Sequence, residues 1–143
     1  MQVEQISVFL ENKSGRLSEV TEILSDTKVN IRALALADTS DFGVLRLIVD
    51  NTDAAVETLK NNGFTVGKTK VVAVEVADRP GGLHEILMML HDADLNVEYM
   101  YAFVRASGDN AVMIFRIDQY QKAVTLLESK GVTVIDGNRL HRL

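Results

Sequence analysis

Gly15-Arg16-Leu17-Ser18-Glu19 is answered further along the chain by Gly81-Gly82-Leu83-His84-Glu85. From this pair the register extends without a gap through Leu24 and Leu90, Asp26 and Asp92, and Asn30 and Asn96. After a two-residue insertion near Ser107-Gly108 it resumes at Val44 and Val112 and holds to Val66 and Val134. The segment Ile6 to Val66 therefore recurs as Val72 to Val134. Internal repetition sets the architecture before any motif is weighed, and each half becomes a control for the other.

Alternation places Ile6, Val8 and Leu10 on one face of a strand, and Val72, Val74 and Val76 repeat the pattern. From Gly15 to about Lys28 and from Gly81 to about Asp94, apolar residues fall at helical spacing. Two strands follow in each half, Val29 to Ala37 with Gly43 to Asp50, and Leu95 to Arg105 with Ala111 to Asp118. The turns between them are Asp38-Thr39-Ser40-Asp41 and Ser107-Gly108-Asp109-Asn110. Second helices, Thr52 to Asn62 and Gln119 to Lys130, stop at Gly63 and Gly131, and final strands begin at Phe64 and Val132. The order is βαββαβ twice. An α+β fold buries all of these stripes, as two ferredoxin-like units, each a four-stranded antiparallel sheet with two helices on one face. The units are expected at residues 1–68 and 69–143, joined by the short connection Gly67-Lys68-Thr69-Lys70.

In a lone two-layer unit the far face of the sheet should be polar. Here Val44 and Ile48 oppose Leu45, Leu47 and Val49, and Val112 and Ile114 oppose Met113, Phe115 and Ile117. Phe9 and the stripe Tyr99, Tyr101, Phe103 add to this second apolar face. Either the two sheets cover each other or the surface pairs with another copy, and a homo-oligomer, in the simplest case a homodimer, is expected.

Composition narrows the function. At 143 residues with 47% hydrophobic residues and one proline, the chain is a compact folder. It has no cysteine, which removes disulfides, thiolate metal sites and a cysteine nucleophile. No apolar run approaches the roughly 20 residues of a membrane span and no basic leader opens the sequence, so a cytoplasmic protein without membrane association is expected. The net charge of −5 disfavours a nucleic-acid partner.

Candidates for catalysis are few. His84 and His91 share a helical face but lie about 10 Å apart along its axis at 1.5 Å rise per residue, too far to ligate one ion. The other half has Ser18 and Ser25 there, so imidazole is no shared requirement. His141 stands alone and reads as a surface residue. Glu19 and Glu85 sit near helix starts, where negative charge is favoured. Nothing resembles a triad, a phosphate cradle or a metalloprotease helix, so no catalytic residue, metal or cofactor is expected. There remain the loops Glu11 to Leu17 and Ala77 to Leu83, whose glycines and helix-start N–H groups suit either a small anion or merely a tight turn capped by Asn12 or Asp78.

These loops, with the strand start Leu95-Asn96-Val97 and the element order, resemble the ACT domain family, regulatory modules that bind amino acids. Asp78-Arg79-Pro80-Gly81-Gly82-Leu83 follows the family pattern D-x-P-G-x-L, and Asn12-Lys13-Ser14-Gly15-Arg16-Leu17 departs from it with serine in place of proline. The resemblance covers nearly the whole chain, as a tandem pair. It implies a ligand site where the first loop of one unit faces the second-strand start of another. The site residues it carries over are Asn12, Ser14, Gly15 and Leu17, Asp78 through Leu83, Asn30 with Ile31, and Asn96 with Val97. Side-by-side pairing of units would bring the Asn12 loop to Asn96 and the Asp78 loop to Asn30. Backbone N–H and Asn amide groups would receive a carboxylate, while Asn and Asp oxygens accept from an ammonium. Asp78 carries a charge that Asn12 lacks, so two related but unequal sites follow.

The reading is a non-enzymatic regulatory protein whose partners are a free amino acid, a second copy and a metabolic enzyme. Two alternatives stand beside it. A regulatory subunit could act through protein contacts alone. An RNA-binding module shares the element order, but Ala33, Ala35 and Ala37 replace the rings of Tyr99, Tyr101 and Phe103 in the other half.

Overall fold

The computed structural model describes residues 2–38 and 40–143. Among them the chain order is β1 (Val3–Glu11), α1 (Arg16–Asp26), β2 (Ile31–Asp38), β3 (Phe42–Val49), α2 (Thr52–Asn61), β4 (Thr65–Ala77), α3 (Gly82–Asp92), β5 (Val97–Ala102), β6 (Asn110–Ile117), α4 (Tyr120–Ser129), β7 (Val134–Ile135) and α5 (Gly137–Arg142). The fold is α+β, two ferredoxin-like units with antiparallel sheets. One compact unit is Glu4–Thr69, and the other comprises Lys70–Leu143 with the N-terminal residues through Val3. The turn expected at Asp38 to Asp41 includes Thr39, which lies outside the described residues.

In the first unit the strand order is β4–β1–β3–β2, with Ile6 opposite Leu47, Val8 opposite Leu45, and Leu34 opposite Leu47 in turn. Ile6, Val8, Leu10, Leu45 and Leu47 point to one side and pack with Val20 and Leu24 of α1 and Leu59 of α2. The second unit repeats the order as β7–β4–β6–β5, with Val72 opposite Phe115 and Val74 opposite Met113. Its core joins Val72, Val74 and Phe115 to Ile86 and Leu90 of α3 and Leu127 of α4. The copies agree even in backbone detail, since Lys28 and Asp94, which follow α1 and α3, hold φ of 61° and 56°.

Five features depart from the sequence reading. The connection Gly67 to Lys70 is strand: β4 runs unbroken from Thr65 to Ala77, last strand of one unit and first of the next. The last strand of the second unit begins at Val134 rather than Val132 and is only two residues long. β5 is shorter than the expected Leu95 to Arg105, ending at Ala102. After β7 comes α5, a helix the sequence did not announce, capped by Asp136, whose side chain accepts from the Arg139 N–H at 2.9 Å. His141 lies on α5 and is half-buried, with Nδ1 fully enclosed, rather than a surface residue.

α5 answers the question of the far sheet face in the second unit. Side chains alternate along β4, so Val72, Val74 and Val76 face the helical core while Ala73 and Glu75 face the other way. Arg139 of α5 reaches Glu75 there, its Nη2 donating to Oε1 at 2.7 Å, and Leu140 is fully buried. The Ser107 hydroxyl donates to the same oxygen, and Asn110 Nδ2 donates to Oε2 at 3.3 Å. At the equivalent positions of the first unit stand Phe9 and Phe42, 51% and 58% exposed. One half thus closes this corner with a polar lock, and the other has two exposed rings there.

The Ser107 hydroxyl, followed by Asn110 and Arg139, holds the Glu75 carboxyl below the usual carboxylate range against the opposing effect of burial. A depressed folded pKa stabilises the fold above the unfolded value, about 4.3, and that contribution is lost as pH falls through the folded value. Glu75→Gln should therefore cost about 1.5 kcal/mol at neutral pH. The gap to wild type should narrow in urea denaturation as pH falls below the unfolded carboxylate value of about 4.3; a gap independent of pH would refute the charge-based lock.

Candidate functional site

The two loops that join a first strand to a first helix are built alike. The Lys13 N–H donates to the Glu11 carbonyl at 2.9 Å, and the Arg79 N–H to that of Ala77 at 2.9 Å. Gly15 and Gly81 then take φ of 90° and 86°, the left-handed conformation that glycine adopts without strain, and each is the helix N-cap with no side-chain cap bond. The capping role expected of Asn12 and Asp78 is thus filled by backbone geometry. Asn12 instead ties its loop to the hairpin, its N–H donating to the Asp41 carbonyl at 2.9 Å and its Nδ2 to that of Ser40 at 3.4 Å. Asn12, Ser14, Asp78, Arg79 and Pro80 are exposed, whereas Gly82 is buried and Leu83 packs on the second core.

Charge around the helix starts is paired differently in the two copies. Arg16 donates to Glu19 at 2.9 Å and to Glu11 at 3.0 Å, and its guanidinium lies 5.0 Å from the Phe64 ring centroid. Lys13, and after it Arg16, holds the Glu11 carboxyl below its usual range. The hydrogen bond that Arg16 donates to Glu19 chiefly pushes the Arg16 pKa up. In the second loop Arg79 grips both oxygens of Glu85, at 2.9 and 3.1 Å. Glu19 and Glu85 are therefore ion-pair partners as well as favourable charges at a helix start.

The strand starts are clamped rather than loose. The Asn30 N–H donates to Asp50 Oδ1 at 3.0 Å while the Asp50 N–H donates back to the Asn30 carbonyl at 3.1 Å. Asn96 and Asp118 do the same at 3.1 and 3.2 Å. Both asparagines remain exposed, and Ile31 and Val97 pack on their respective cores. The paired aspartates explain a repeat position to which the sequence reading gave no role.

Within a unit, the loop and the strand start do not meet. Leu10 and Asp38 are both opposite Gly43, whereas Ile31 is opposite Val49 at the other end of β3. In the first unit the loop instead borders a cavity of about 70 Å³ lined by Asn12, Lys13, Arg16 and Leu17 with Leu36 and Asp38 across from them. Arg16, Leu36 and Asp38 were not among the sequence candidates. Arg16 lay in the quoted loop, but its counterpart Gly82 gave no reason to weight it.

Among the described residues no cluster of three or more His, Asp or Glu could hold a metal ion, and no helix is long and apolar enough to cross a membrane. The fold and the paired loops define a tandem of small α+β modules. The ACT domain pair family matches residues 1–143, and the chain belongs to it. A crystal structure of a protein from Bacteroides thetaiotaomicron is 39% identical, covering 100% of this chain and 98% of that one, with a TM-score of 0.92. The ligand-free regulatory subunit of aspartate kinase from Thermus thermophilus shares the fold at 14% identity, covering 90% of this chain and 93% of that one, with a TM-score of 0.65. The corresponding subunit from Thermus flavus, also 14% identical and covering 90% of each chain, gives 0.64. No curated protein matches the chain.

Proposed function

We propose that this chain is a non-enzymatic regulatory protein of the cytoplasm that binds a free amino acid where the first loop of one ACT-like unit meets the second-strand start of another, the units being residues 1–68 and 69–143. The observation that carries the reading is the recurrence, in both copies of an ACT domain pair, of a glycine-capped loop and of a clamped, exposed asparagine. The loop cavity in the first unit, about 70 Å³, is little more than twice the ~30 Å³ share of one water, so an amino acid needs a second wall. A strand start from another unit supplies one, with a side-chain amide to donate to the carboxylate. Exposed Leu34 and Leu36 on β2 and exposed Phe9 and Phe42 support association, with a second copy and with a metabolic enzyme as the partners.

A thermal-shift or calorimetric panel of the twenty amino acids tests this. At least one should stabilise the fold, by about 2.7 kcal/mol at a hundredfold excess over Kd. Asn30→Ala and Asn96→Ala should each weaken binding about tenfold, to different extents because Asp78 and Asn12 differ in charge. No stabilisation by any of the twenty would sink the reading.

A further inference from the structure

A second cavity, of about 360 Å³, lies under α4 in the second unit, away from either loop. Its origin is the early end of β7. In the first unit the residues equivalent to Ile135 and Asp136 are Gly67 and Lys68, both in strand, and Lys68 braces the corner against Glu4 at 3.8 Å and Asp53 at 3.7 Å. In the second unit the chain leaves the sheet at Asp136, and the space beside Val72 and Ala73 stays open. Val124, Val134 and Ile135 give it apolar walls, and Tyr120 and Glu128 stand one turn to either side of Val124 on the same face of α4.

Comparing the copies shows what changed there. Lys60 becomes Glu128, Lys68 becomes Asp136 and Thr52 becomes Tyr120, so a cationic corner has become an anionic one with a phenol beside it. Glu128 and Asp136 are the charged groups lining the cavity among the described residues. Asp136 accepts from the Arg139 N–H at 2.9 Å, and chiefly through that bond its carboxyl is held below the usual range, so it stays anionic at neutral pH. Burial, and after it Glu128, pushes the Tyr120 pKa up, so its hydroxyl stays a hydrogen-bond donor and acceptor. The volume falls within the ~300–1,000 Å³ of small-molecule pockets, and the mix of apolar walls with a few convergent polar groups is typical of them.

We propose that this cavity binds a small molecule with an apolar body and a single protonated amine, the ammonium held by Glu128 and Asp136 and the body by Val124, Val134 and Ile135. A free α-amino acid brings a carboxylate that Glu128 and Asp136, the two charged groups of the lining, would repel. The site is independent of the loop reading above, and its selectivity is the opposite one.

Calorimetry on the full chain with 2-phenylethylamine and 3-methylbutylamine, against L-phenylalanine and L-leucine as matched controls, tests it. The amines should bind. Glu128→Gln, a change at an exposed position, should weaken them about tenfold, the effect of one lost charge-assisted bond. Val124→Phe should weaken binding by narrowing the apolar wall of the cavity, and Asn96→Ala should leave it unchanged. No heat from either amine, or amine binding indifferent to both Glu128→Gln and Val124→Phe, overturns the proposal.

Discussion

Replacing Gly82 with alanine should destabilise the second unit by about 3 kcal/mol, the upper end of what overpacking costs. A Cβ at this position would lie 2.0 Å from the Ala77 carbonyl oxygen and 3.0 Å from its carbon, both backbone atoms that no rotamer change can move. The loop is closed at this point by the bond from the Gly82 N–H to the Arg79 carbonyl at 3.0 Å, so the strain would fall on the whole turn. The first unit shows the alternative. Arg16 occupies the same position with a Cβ, and there the matching bond from its N–H to the Lys13 carbonyl has opened to 3.4 Å. A control separates crowding from conformation: at Gly15, with φ of 90° and nothing within 4 Å, alanine meets only the left-handed penalty, about 1 kcal/mol. Urea denaturation of both variants reads the difference. Equal losses would mean that Gly82 is no more crowded than Gly15.

Phe115→Ala should cost about 4 kcal/mol, the range of deleting a buried ring. Phe115 is fully buried on β6, opposite Val72 of β4 and Met100 of β5, and belongs to the core formed with α3 and α4. The repeat again supplies the control, because the equivalent residue of the first unit is Leu47, equally buried at the same place in the sheet. Phe115→Leu should thus cost less than about 1.5 kcal/mol, as a smaller apolar residue is already accommodated by this fold. The same denaturation series measures both. A leucine variant as damaged as the alanine one would show that the two cores have diverged beyond exchange.

The parts of the fold legible in the sequence are those carried by many residues in a period. Val20 and Leu24, or Ile86 and Leu90, fix helices because each pair repeats one turn apart and is buried. β4 was harder, because Gly67-Lys68-Thr69-Lys70 has a linker's composition while its backbone is held as strand. α5 was invisible for the opposite reason. Apart from Gly137 its only buried residue is Leu140, and a six-residue helix has no stripe to read. A signal for its partner existed: Glu75 is a lone carboxylate in the apolar run Val71 to Val76, and such a group needs a partner. Of the candidate site, the loop glycines and the asparagines were readable because both copies carry them. Arg16, Asp38 and the cavity beside β7 were not, because each belongs to one copy alone.

That last asymmetry follows from how a duplicated chain must be connected. The final strand of the first copy is also the opening strand of the second, so no residues are spare between them to wander off and evolve a separate task. The second copy's final strand has no such duty. It could shorten to two residues and release the chain into α5, which at once sealed one corner with Arg139 and vacated another beside Ala73. The divergence lies in the copy whose last strand does not also open the next unit.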